Sequence, residues 1–157
     1  MKDYVLAKIN ARELPEIKAA KDALRGLEDR VAALIKLLHW KDFETLVDLI
    51  FHQAGWQRIG VLGKTQKTLD LDLLSPVTHE RCIIQIKSTS NLNEFKGYCE
   101  KFDAMEGYQK FFYVVHSPDH SLKQSGNEGK VKLLIMEDIA QLVINSGFTG
   151  WLMSKVS

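Results

Sequence analysis

"TLDLDLLSPVTHERCIIQIKST", residues 68–89, decides how this chain is read. Both halves read as strands, and Pro76 closes the first of them. Yet Asp70, Asp72, Gln85 and Lys87 interrupt the apolar runs at alternate positions. A strand sends successive side chains to opposite faces. Leu69, Leu71 and Leu73 therefore share one face, and Asp70 and Asp72 the other. In the following strand Ile84 and Ile86 share a face, opposite Gln85 and Lys87. The short link from Pro76 to Glu80 suits an antiparallel hairpin. With Asp72 opposite Gln85, Asp70 falls opposite Lys87, and the four polar groups meet on one face. A one-residue slip would carry one set to the wrong side.

Two acids converging on a partly buried surface are costly without compensation. A divalent cation compensates them. Mg²⁺ takes hard oxygen ligands, with one or two carboxylates, waters and substrate phosphate as its usual set. A glutamine carbonyl adds another oxygen. A lysine beside the metal orients or helps deprotonate a water and steadies charge on a phosphate. Any one of these residues alone reads better as part of a solvent face. Together they point to a site for phosphodiester hydrolysis.

The rest of the chain frames that pair of strands. At 157 residues, 45% of them hydrophobic and 26% charged, it suits one globular domain with a sizeable core. No apolar run approaches the ~20 residues of a membrane helix, and the opening "MKDYVLAKINARELPEIK" has no apolar core of a secretory signal. Two isolated cysteines, Cys82 and Cys99, make no disulfide framework, so buried thiols in a reducing cytoplasm are expected. A net charge of +1 means that binding to nucleic acid would need a local basic surface.

Residues 13–38 are rich in helix formers with charges alternating in sign, Pro15 in a first-turn position and Gly26 as a candidate bend. A packing or oligomerisation role is expected for them. Residues 40–56 form an amphipathic helix with Phe43, Leu46, Val47, Leu49, Ile50 and Phe51 on one arc, Glu44 at its edge and Gly55 as its cap. Strands are expected at 56–63, 68–75, 81–89, 109–117 and 131–136, and helices at 91–107, capped by Asn91, and 137–147. Residues 118–130 read as a polar loop and 148–156 as a short closing segment. The order predicts an α/β fold, a mixed sheet with helices on its faces.

Asp72, the turn after it and Gln85-Ile86-Lys87 resemble the PD-(D/E)XK nuclease superfamily. The likeness is to the Mrr-like restriction endonucleases in particular, whose third-strand motif often carries Gln in place of the acid. "FETLVDLIFHQAGWQRI" (43–59) resembles that family's first helix and strand, and "KFFYVVHS" its later core strand. The resemblance spans about residues 40–145. It implies a restriction-endonuclease-like fold over 39–157, with 1–38 as an N-terminal helical extension, and Mg²⁺-dependent cleavage of DNA, with Mn²⁺ as substitute. It implies Asp72 as the essential metal ligand, with Asp70 as its rival. Asp72 is preferred because the apolar strand continues after it. Gln85 would ligate or orient through its carbonyl, the backbone carbonyl of Ile86 would ligate, Glu44 would add a carboxylate, and Lys87 would handle the water.

"GVLGKTQKT" lacks the first glycine of a phosphate loop, since Arg58 stands there, and is followed by a strand rather than a helix. Lys64 and Lys67 on that turn, Lys96 on the later helix and His116 at a strand end are candidate DNA contacts. The expected function is a metal-dependent DNA endonuclease of restriction, repair or junction-resolving type. The alternative is a catalytically inactive DNA-binding or partner-dependent subunit of the same fold. A homodimer, or a protein partner held by the N-terminal helices, is a further possibility.

Overall fold

The computed structural model describes residues 12–59, 70–127 and 129–157. Among them are six helices and five strands: α1 (Pro15–Ile35), α2 (Trp40–Gln53), β1 (Gln57–Arg58), β2 (Leu71–Leu74), β3 (Arg81–Ser90), α3 (Leu92–Asp103), β4 (Lys110–Pro118), α4 (His120–Lys123), β5 (Val131–Leu134), α5 (Met136–Asn145) and α6 (Thr149–Val156). The strands form one mixed sheet in the order β1-β2-β3-β4-β5. β1, β2 and β3 pair antiparallel, while β3, β4 and β5 pair parallel. No described helix is long and apolar enough to cross a membrane.

Both sheet faces are covered, which is why β3 and β4 are apolar on both sides. On one face α2 lays Phe43, Leu46, Val47 and Ile50 on Leu71, Leu73, Ile84 and Ile86, joined by α5 and α6. On the other, α3 lays Phe95, Cys99 and Phe102 on Ile83, Phe111 and Tyr113. Cys82 and Cys99 are both buried. Gly55, at φ 96°, ends α2. The Gly55 N–H donates to the carbonyl of His52 and the Trp56 N–H to that of Phe51, the paired bonds of a Schellman turn. Asn91 caps α3 as expected, its side chain accepting from the Glu94 N–H. α1 runs through Gly26 without interruption, and its last turns bury Val31 and Ile35 in the main core.

Further sequence expectations are corrected or sharpened by the structure. The segment read as a loop after β4 contains the one-turn helix α4, because Asp119 accepts from the Leu122 N–H as its N-cap. The closing segment is helical from Thr149. The register of β2 on β3 also differs by two residues: Asp72 lies opposite Ile83, and Leu74 opposite Arg81. The expected register would have drawn Pro76 into the ladder, where it has no N–H to give. Instead the turn closes over Ser75–Glu80, with His79 at φ 61°. A two-residue shift preserves the face of every side chain. Asp72 therefore stays on the Gln85 and Lys87 side, and continuing the register sets Asp70, not Asp72, against Gln85.

Candidate functional site

Asp70 stands just before β2, at the end of the hairpin remote from its turn. Its Oδ2 accepts two hydrogen bonds, from Gln85 Nε2 at 2.9 Å and from the Ile86 N–H at 2.7 Å. β2 begins at Leu71, and just before it this carboxylate meets the Ile86 N–H of β3. Within a strand, a residue turns its N–H and C=O to the same neighbour. The Ile86 carbonyl therefore faces the Asp70 side too. Gln85 is 6% exposed, and its Oε1 has no hydrogen-bond partner among the described residues.

Asp70 and Ile86 line a cleft of about 170 Å³ with Leu71, Glu44, Thr45, Asp48 and Arg58. α2 supplies Glu44 because its apolar face is already pressed onto the sheet, leaving the edge residue to line the cleft. Burial pushes the Asp70 carboxyl above the ordinary range. The Ile86 N–H opposes that shift, and the charge of Glu44 adds to it. Asp48 and Arg58 form a loose ion pair at 3.9 Å.

Lys87 is held from the other side. Its Nζ lies 2.7 Å from Glu94 Oε1 and 5.8 Å from the centre of the Tyr98 ring. Glu94 in turn accepts from Ser90 Oγ at 2.9 Å, and Ser90 Oγ lies 2.6 Å from the buried Tyr113 hydroxyl. Ser90 has one proton to give, so Tyr113 donates to Ser90 and Ser90 to Glu94. The bond to Glu94 raises the pKa of Lys87, and the bond to Lys87 lowers that of Glu94. Lys87 is therefore an ammonium at neutral pH. It can donate hydrogen bonds and steady negative charge, but it does not accept a proton from water.

Asp72 is engaged elsewhere. Its Oδ2 accepts from Arg81 Nη2 and from the Tyr108 hydroxyl, each at 3.0 Å. The Arg81 guanidinium lies 4.4 Å from the Tyr108 ring centre. Among the described residues Asp72 Oδ1 and Arg81 Nε have no partner. This cluster sits at the turn end of the hairpin, so the structure joins Asp70 to Gln85 and Ile86, with Glu44 lining the same cleft and Lys87 within electrostatic reach, and leaves Asp72 out.

His116 is a packing residue. Its Nε2–H donates to the Ile35 carbonyl at 2.8 Å, its Nδ1 lies 2.7 Å from Ser117 Oγ, and its ring meets Phe43 edge-on. It ties α1 to the sheet and has no free nitrogen for substrate. Lys96 is exposed on α3, beside a shallow groove shared with Ser121 and Gln124. Lys64 and Lys67 lie outside the described residues.

Sequence reasoning missed Arg58, Glu94, and the Arg81–Tyr108 clamp. Glu94 follows Asn91 by three residues, the spacing of a capping box. Its side chain turns instead to Ser90 and Lys87, four and seven residues back. Among the described residues no three His, Cys, Asp or Glu side chains are grouped for a metal. Comparison with family models, with curated proteins and with solved structures finds no match for this chain.

Proposed function

We propose that the chain is a divalent-metal-dependent nuclease that hydrolyses phosphodiester bonds in DNA on a restriction-endonuclease-like fold, with Asp70 as its principal carboxylate. The observation that carries this reading is the meeting of Asp70 with Gln85 and Ile86 at the floor of a cleft bordered by Glu44.

The donor set fits Mg²⁺. The orphaned Gln85 Oε1 is the telling atom, because a buried amide oxygen without a partner is costly. The two ends of an amide side chain differ only by a 180° rotation. Rotated, Gln85 would set its oxygen where Nε2 now stands, 2.9 Å from Asp70 Oδ2. Neighbouring oxygens of a Mg²⁺ octahedron with bonds of about 2.0–2.1 Å also stand about 2.9 Å apart. Asp70, Gln85 and the Ile86 carbonyl would hold the ion, and Glu44 would reach it directly or through water. When bound, the metal polarises a phosphoryl oxygen and lowers the pKa of its water.

The chain's own groups do the rest. Lys87, fixed as an ammonium by Glu94 and within electrostatic reach of Asp70, would steady the charge that develops on the phosphate. Arg58 on the rim supplies a fork that matches a phosphate, and Lys96 is a candidate backbone contact. The test is supercoiled plasmid incubated with Mg²⁺ or Mn²⁺. Wild type nicks or linearises it, and Asp70→Asn does not. Intact plasmid with wild type, or unchanged cleavage by Asp70→Asn, contradicts the reading.

One observation favours the non-catalytic alternative: Asp70 Oδ2 is already satisfied by two protein donors. On that reading DNA binding persists in EDTA and calorimetry with Mn²⁺ gives no heat.

A further inference from the structure

The first half of α1 stands away from the core. Every residue from Pro15 to Leu27 is exposed, and the helix meets the main core only from Val31 on. A helical stretch of fewer than ~15 residues is marginal in water unless something packs on it. This one gains nucleation from its docked half but no cover from the other described residues.

Its large apolar side chains nonetheless follow a single line. Ile17, Ala20, Leu24, Leu27 and Val31 step by three, four, three and four residues, the a and d positions of successive heptads. Lys18, Asp22, Arg25 and Asp29 fall outside that line. Ile17, Leu24 and Leu27 are 43%, 46% and 41% exposed, whereas Val31, at the next a position, is 1% exposed. The seam is thus continuous with the core face of α1 but uncovered over its first two heptads.

We infer that a second copy of this chain covers it, the two α1 helices lying antiparallel with Leu24 of each packed on Leu27 of the other. Charge is compatible with this arrangement. In that register Lys21 flanks the seam opposite Glu28 of the second copy, and the pair occurs twice by symmetry. On the other flank Ala23 faces Arg30, so like charges never meet. The ion pair that Lys21 makes with Glu13 is exposed and costs little to give up. The contact is confined to the layers around Leu24 and Leu27, because the next layer would set Ala20 against Val31, which the chain's own core already covers. The two globular bodies then lie at opposite ends.

Sedimentation equilibrium of the full chain tests this. Wild type runs as a dimer. Leu24→Glu and Leu27→Glu each weaken it at least about tenfold without changing the circular dichroism, because both side chains lie on the surface. Lys21→Glu alone and Glu28→Lys alone each weaken self-association, and mixing the two variants restores a dimer. Three results would overturn the inference: wild type monomeric up to about 0.1 mM, the weak end of specific association; a dimer indifferent to Leu24→Glu and Leu27→Glu; or no rescue on mixing. The readout is mass, so it stands or falls apart from the nuclease reading.

Discussion

Asp70 and Asp72 share one face of the same hairpin, two residues apart, and have opposite surroundings. At the turn end Asp72 is neutralised: Arg81 and Tyr108 both bind its Oδ2, and the guanidinium rests on the phenol ring. At the other end Asp70 receives only neutral donors, in a cleft where burial and Glu44 raise its pKa. A carboxylate paired with a cation serves the fold. A desolvated carboxylate beside an unpartnered amide oxygen is held at a cost that a bound cation would relieve. The difference separates a structural acid from a candidate catalytic one, which the sequence pattern alone does not.

The sharpest way to break that contrast is to neutralise each acid in turn and measure cleavage. Asp70→Asn should lose about 10³-fold or more of the metal-dependent rate, the scale of removing a central electrostatic group. Asp72→Asn should stay within about tenfold of wild type. Equal losses would erase the distinction. Next in size is Lys87→Met, expected to lower the rate about 10²-fold with the fold intact by circular dichroism.

Stability should reverse the order of the two acids. Asp72→Ala strips Arg81 and Tyr108 of their shared acceptor and should cost about 2 kcal/mol in urea unfolding. Asp70→Asn should instead raise the melting temperature of the metal-free protein at neutral pH. The sign follows from its raised pKa, with burial the main cause. A raised folded pKa gives stability that is fully present below the unfolded pKa and lost as pH rises through the folded one. The advantage of Asp70→Asn should therefore shrink on acidification. The smallest effect belongs to Glu94→Gln, less than about 1 kcal/mol for a half-exposed pair. Its lowered pKa makes that contribution present at neutral pH and lost as pH falls through the lowered value, while the raised pKa of Lys87 ends it only above the lysine range.

Much of the architecture was legible in residue patterns. The period-two alternation of β2 and β3 placed Asp72, Gln85 and Lys87 on one face, and the helical arc of α2 left Glu44 at its edge. What stayed hidden depended on distance along the chain or on hydrogen bonding. Turn chemistry around Pro76 moved the register by two residues and exchanged Asp72 for Asp70. Tyr108 reaches Asp72 across 36 residues of sequence, a contact that periodicity does not encode. His116 read as a strand-end polar group, yet its partner is the carbonyl of Ile35, 81 residues earlier. α4 was marked by Asp119, a capping residue set inside a run of turn formers.

The most direct measurement is anomalous diffraction from a crystal soaked in Mn²⁺. The account predicts a peak bonded to a carboxylate oxygen of Asp70 and to Gln85 Oε1, with the glutamine amide rotated from its metal-free orientation. A peak on Asp72 with Arg81 displaced, or no peak near Asp70 when cleavage is active in the same Mn²⁺, would contradict it.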